Sequence, residues 1–179
     1  MNVTIINAAA GTDINAGYIA RTLQEKCPEC TRFDICSLEF DPTYPIRKND
    51  GGFDEKLVED DLREPMRAVF EADLVILLSP NYFNFISGYA KLFLDKFFVY
   101  YNQKNMPAFD KEKKFFFILT QASPNRSDGQ WAQDWMKSFT ERFRMKFFGM
   151  TIPSCSGREP DGAKLKMDEI TMSLNMFKG

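Results

Sequence analysis

The sequence predicts an α/β protein, a three-layer, doubly wound five-stranded parallel sheet formed by a single domain. Three observations carry this. The apolar runs at residues 74–78 and 115–119 are short and unbroken rather than alternating, as in strands covered on both faces, and residues 3–6 form a short β-branched run. Helical spacing of apolar residues recurs between and after those runs. The two patterns alternate to the end of the chain, and each right-handed crossover must pack its helix back onto the sheet, which places helices on both faces.

The elements follow in order. Val3 to Ile6 opens into the small-residue stretch Asn7-Ala8-Ala9-Ala10-Gly11-Thr12-Asp13, after which Ile19, Ala20 and Leu23 follow helical spacing to about Lys26. Residues 31–37 read as the second strand, and residues 41–53, rich in Pro, Gly, Asn and charge, as a long connection. A helix is expected from about Asp54, with Leu57, Val58, Leu62, Met66, Val69 and Phe70 on one face and Pro65 as a point of kinking. The third strand runs to Leu78, ended by Ser79-Pro80-Asn81, and a helix is expected over residues 86–98. Lys114 to Thr120 is the fourth strand and residues 121–129 its polar exit loop. Trp131, Trp135, Phe139, Phe143 and Phe147, four residues apart, predict one long helix, followed by a strand over residues 150–154 and a helix over 161–177.

At 179 residues the chain is long enough for one sizeable core and short for two domains. A formal net charge of -2 leaves no electrostatic footprint for nucleic acid. No apolar run reaches the roughly 20 residues that cross a bilayer, and the start lacks a basic leader, so a cytoplasmic protein without a membrane partner is expected. The sequence contains no histidine, which excludes Ser-His-Asp and Cys-His catalysis and histidine-ligated zinc. Four cysteines do not form a secreted disulfide framework, and reduced thiols are expected. Cys27-Pro28-Glu29-Cys30 follows a helix rather than starting one, so it reads as a non-catalytic turn. Eighteen phenylalanines exceed what one core needs, and the surplus at Phe93, Phe97, Phe98, Tyr100 and Tyr101 suggests a homodimer or tetramer.

The run Glu71-Ala72-Asp73-Leu74-Val75-Ile76-Leu77-Leu78-Ser79-Pro80-Asn81-Tyr82-Phe83, followed by Ser87-Gly88-Tyr89-Ala90-Lys91-Leu92-Phe93-Leu94-Asp95-Lys96, resembles the central segment of the NADPH-dependent FMN reductase family, within the flavodoxin-like superfamily. The motif is A-D, an apolar run, S-P-x-Y-[FW], then S-G-x-x-K-x-[FL]-x-D-[RK]. The resemblance implies the strand order 2-1-3-4-5, with FMN at the carboxyl ends of strands 1, 3 and 4, where the topology changes direction. It implies a phosphate held by the first loop, at Ala9, Ala10, Gly11, Thr12, Asn15 and Ala16. It places the isoalloxazine ring against Pro80, Asn81, Tyr82, Phe83 and Asn84, and against Thr120, Gln121, Ala122 and Ser123. The chemistry is then centred on the flavin, with no catalytic side chain and no metal, so the missing histidine is no obstacle.

Three functions follow as expectations. The first is an FMN-dependent NAD(P)H oxidoreductase that passes electrons to free flavin, a quinone or another small-molecule electron acceptor. The second is a flavodoxin-like electron carrier, and the third a ligand-binding or scaffold protein that has lost FMN. Two departures from the family matter. Ala8 and Ala16 replace hydroxyl residues in the first loop, and Asp13 brings a carboxylate to the place where a phosphate is expected. No cysteine cluster follows the second strand, which argues against an iron-sulfur centre there.

Overall fold

Five parallel strands hydrogen-bond in the order β2-β1-β3-β4-β5: β1 is Val3–Asn7, β2 Thr31–Asp34, β3 Leu74–Pro80, β4 Lys114–Thr120 and β5 Lys146–Ile152. The computed structural model describes residues 1–11, 13–42, 60–100 and 112–178. The expectations for Thr12, for the 43–53 connection, for a helix start at Asp54 with Leu57 and Val58, and for Tyr101 lie outside the described residues, as does the side chain of Tyr100.

β1, β3 and β4 occupy the centre, and every residue of β1 and β3 is buried. Period-2 alternation then sorts their side chains to two faces. On one face Ile6, Leu77, Phe115, Phe117 and Leu119 meet α2 (Arg63–Glu71), α3 (Gly88–Lys96) and α4 (Gln130–Arg142) through Met66, Val69, Ala90, Phe93 and Met136. On the other, Ile5, Ile76, Leu78, Phe116 and Ile118 meet α1 (Ile14–Lys26) and α5 (Asp161–Lys178) through Ile19, Leu23, Met167 and Ile170. This is the expected doubly wound arrangement. Burying each of the larger of these side chains contributes about 1.5–3 kcal/mol, which is why the long apolar runs become the central strands.

Several elements differ from expectation. β2 stops at Asp34, and residues 35–37 form a 3-10 turn, its serine hydroxyl donating to the Asp34 carbonyl at 2.7 Å. Pro65 does not kink α2, because it lies in the first turn, where its missing N–H would have had no intrahelical partner. Residues 61 and 62 are turn, so α2 begins later than its periodicity suggests. Pro80 is inside β3, in register with Thr120, and β3 is two residues longer than expected. Phe147 is in β5 rather than on the preceding helix. α4 ends at Arg142, and Arg144, at φ 55°, turns the chain so that the Met145 amide closes onto the Thr140 carbonyl at 3.0 Å.

The thiol expectation is corrected at one place. Cys27 and Cys30 are joined by a disulfide with a Cα–Cα distance of 5.4 Å, in the turn after α1, and both are buried. The Gln24 amide donates to the Cys30 carbonyl at 2.7 Å and braces that turn. The pair sits at the amino-terminal edge of the sheet, away from the crevice described next. Cys36 and Cys155 are free thiols.

Candidate functional site

In a parallel sheet all strand ends of one kind lie on one side, so the loops after β1, β3 and β4 meet at a common edge. The sheet changes direction between β1 and β3, which leaves a crevice outside their carboxyl ends. Three loops and the segment after β5 build its walls.

The first wall is the loop after β1. Ala8 continues along β3, its amide donating to the Leu78 carbonyl at 2.9 Å, and Ala8 and Ala9 are buried. Ala10 is half-buried and Gly11 exposed, and the Asp13 amide donates back to the Ala10 carbonyl at 2.8 Å. Asp13 is the N-cap of α1, and its Oδ1 accepts the Ala16 amide at 2.8 Å. Asn15 is buried with its side chain turned to α5: Oδ1 accepts the Ala163 amide at 3.0 Å, and Nδ2 donates to the Glu159 carbonyl at 3.2 Å and to Asp161 Oδ1 at 3.3 Å. Ala16 is fully buried in the first turn.

The second wall is the loop after β3. Tyr82 and Phe85 exchange backbone hydrogen bonds of 2.8 and 3.0 Å, which closes a two-residue turn. Phe83 and Asn84 at its tip have φ of 53° and 63°. Asn tolerates this left-handed conformation, whereas for Phe it costs roughly 1–2 kcal/mol. Phe83 is 102% exposed and Tyr82 47% exposed, so burial does not compensate. The turn is anchored from behind: Ser79 Oγ accepts the Ser87 amide at 2.9 Å, while Ser87 Oγ donates to the Ala8 carbonyl and accepts the Ala90 amide at 3.0 Å as the N-cap of α3. These two buried serines therefore join β3, the first loop and α3. Sequence reasoning placed them only within a motif; the N-cap preference of serine before a helix was the available signal.

The third wall is the loop after β4. Thr120 and Gln121 are buried, Ala122 is exposed and Ser123 half-buried. Asn81 Nδ2 donates to Gln121 Oε1 at 3.1 Å, and Gln121 Nε2 donates to the Asn125 carbonyl at 2.6 Å. Ser123 Oγ donates to Asp128 Oδ2 at 2.6 Å. Among the described residues, Asn81 Oδ1 and Thr120 Oγ1 are buried without a hydrogen-bond partner. Leaving such a group unpaired costs roughly 1–3 kcal/mol, so each of these atoms would gain from a further polar partner.

The segment after β5 was absent from the sequence-derived site. The Cys155 amide donates to the Gln121 carbonyl at 2.9 Å, which ties this segment to the third wall, while its buried thiol lies against the Ile152 carbonyl at 3.5 Å. Burial, with further contributions from Asp13 and Asp161, pushes that thiol up to about 12, so it is protonated at neutral pH. Asp161 is held at about 2, chiefly by hydrogen bonding from Ser156 and then by the Gly162 amide. Burial raises Asp13 above the usual carboxylate range against the opposing pull of the Ala16 and Asn15 amides. Burial likewise raises Tyr82, and the Asp13 charge adds to it.

A family model for NADPH-dependent FMN reductases matches residues 1–156. The chain belongs to the NADPH-dependent FMN reductase family. It is accordingly an oxidoreductase with FMN as cofactor and NAD(P)H as co-substrate. No curated protein matches the sequence. Solved structures that share the fold include an NAD(P)H:quinone oxidoreductase from Methanothermobacter marburgensis, with TM-score 0.71 and 10% identity over 94% of this chain and 92% of that one. An FMN-dependent NADH-azoreductase from Bacillus anthracis, solved with FMN, superposes over 100% of both chains with TM-score 0.66 and 9% identity. The Trp repressor binding protein from Bacillus subtilis has TM-score 0.63 and 17% identity over 96% of this chain and 95% of that one. At these identities the likeness is one of fold.

The crevice of this FMN reductase family member suits a flavin ring, which has hydrogen-bonding edges and flat apolar faces. It offers orphaned polar atoms at Asn81 and Thr120 and an exposed aromatic turn. A phosphate needs unpaired amides, and small residues from Ala8 to Gly11 leave backbone within reach, but the Ala16 amide is already engaged by Asp13. Among the described residues no helix is long and apolar enough to cross a membrane.

Proposed function

We propose that the crevice binds FMN with its ring between the Pro80-Asn81-Tyr82-Phe83-Asn84 loop and Thr120 to Ser123, and with its phosphate at the first loop between Ala9 and Ala16. The observation that carries this reading is the Tyr82–Phe85 turn, which presents a strained, exposed Phe83 at the carboxyl edge of the sheet and is held there by Ser79 and Ser87. Bound FMN supplies the centre that takes a hydride from a nicotinamide nucleotide and passes electrons on. The chain's own part is positional. Asn81 and Thr120 offer polar atoms to the ring edge, Tyr82 and Phe83 give an aromatic surface beside it, and Gln121 holds Asn81 in place. No side chain here is required to move a proton, in keeping with a buried, protonated Cys155.

The acceptor we propose is a flat, small molecule such as free flavin or a quinone, because the exposed Tyr82 and Phe83 leave the crevice open on one side. A cytoplasmic setting fits the need for NAD(P)H. We further propose a homodimer or tetramer formed through the aromatic face of α3 and α4. There Trp131 is 63% and Phe98 52% exposed, and an apolar groove runs between Leu94, Phe98, Trp135 and Phe139. Rings continue inward from that surface, from Trp131 on Phe85 at 5.2 Å to Phe139 on Phe143 at 5.0 Å. This mixed core and surface stripe accounts for part of the phenylalanine surplus.

Titration of FMN with the purified protein tests the site: quenched flavin fluorescence is expected, and NADPH oxidation should follow on addition of a quinone. Failure to bind FMN would remove the proposal. Sedimentation at micromolar concentration tests the assembly, and a monomer there would remove that part alone.

A further inference from the structure

Asp13 is the one carboxylate that caps the helix whose amino terminus the proposed function needs for phosphate. Its Oδ1 accepts the Ala16 amide at 2.8 Å, which sets the carboxylate over the first turn of α1, at the end of the loop that forms the first wall. Neighbouring Asn15 contributes nothing to offset it, since both ends of its amide are engaged by the α5 side. Among the described residues no cation offsets the burial of Asp13; only the Ala16 and Asn15 amides do. A phosphate arriving here meets a carboxylate already bonded to the amide it would use. The two anions repel, and no neutralising partner stands beside them among the described residues.

We propose that Asp13 is a built-in competitor for the flavin phosphate and so sets the affinity and exchangeability of FMN. The proposal rests on the FMN reading above and adds a specificity determinant to it. To bind with its phosphate at α1, FMN displaces the Asp13 carboxylate from Ala16, and that displacement offsets most of the binding the phosphate would contribute. Riboflavin, which has the same ring and ribityl chain without the phosphate, does not require it. FMN then behaves as a loosely held, exchangeable cofactor, and the protein distinguishes poorly between the two flavins.

The test is to titrate the full chain with FMN and with riboflavin, following flavin fluorescence, for the wild type and for Asp13→Asn and Asp13→Ser. Asn and Ser both cap helices well, so the fold is kept while the charge is removed. The wild type should prefer FMN over riboflavin by less than about tenfold, and each variant should tighten FMN about tenfold or more while changing riboflavin by less than about threefold. Thermal melts of the unliganded variants confirm that each is folded. A wild-type preference for FMN of about a hundredfold, or variants that shift both flavins equally, would overturn the role of Asp13 and leave the FMN site standing. Binding of neither flavin would overturn both.

Discussion

The Ser79 hydroxyl accepts the amide of Ser87 at 2.9 Å, spanning the loop that carries the exposed aromatic turn. Both serines are buried, and each makes a second bond. Ser79 Oγ donates to the Pro80 carbonyl at 3.0 Å, and Ser87 Oγ donates to the carbonyl of Ala8 in the first loop. The turn and the first loop are thereby held by one pair of hydroxyls, which ties the proposed ring end of the site to its proposed phosphate end.

Ser87→Ala should accordingly weaken both ends together. It removes the N-cap of α3 and leaves the Ala8 carbonyl without its donor, a combined cost of about 1–3 kcal/mol. Urea denaturation should show that loss, together with weaker FMN binding. Unchanged stability would mean that the bond to Ala8 contributes nothing.

Phe83→Gly should act in the opposite direction on stability. Glycine adopts φ near 53° without penalty, and removing a fully exposed ring forfeits no burial, so a gain of roughly 1 kcal/mol is expected. Reductase activity should fall at the same time, because the strained residue is part of the proposed wall. A variant that is both more stable and fully active would assign the strain to no function.

Gly129→Ala probes the third wall. A Cβ there would lie 2.7 Å from Leu119 Cδ2 and 2.9 Å from Gln121 Oε1, the atom that accepts from Asn81. Side chains can yield, so the fold should survive at a cost of about 1–3 kcal/mol. Flavin binding should weaken because Gln121 is pushed off Asn81. A thermal melt and an FMN titration on the same sample separate the two effects.

Asp161 gives the acid dependence. Its folded pKa of about 2 lies below the ordinary carboxylate value of 3.8, so its contribution is present above roughly pH 4 and is lost as pH falls toward 2. Asp161→Asn should flatten the melting temperature across that window relative to the wild type and leave its pH dependence near neutrality unchanged. Parallel curves for the two proteins would show that its contacts with Ser156 and Gly162 do not favour folding.

Much of the architecture is legible in the chain. The runs at Leu74 and Phe115 read as central strands because burial on both faces leaves no polar alternation, and the 114–120 strand has the expected bounds. Phe147 reads wrongly as helical because four-residue spacing continues smoothly from Trp131, and nothing local shows that Arg144 adopts a left-handed conformation and ends the helix. The Cys27–Cys30 bond escapes sequence reading for a related reason: spacing alone does not tell how closely two sulfurs are held.

The sequence by itself determined the alternation of strands and helices, the aromatic loop after β3 and the presence of a carboxylate at position 13, because periodicity and residue identity are local properties. Only the tertiary structure decided what those residues face. It turned the Asn15 amide toward α5, brought Asp161 from beyond β5 to the start of α1 and Cys155 to the loop after β4, and set Asp13 on the Ala16 amide. Such encounters join positions up to 148 residues apart. They are set by the strand order and by which helix face finds the sheet, and no window of sequence contains either.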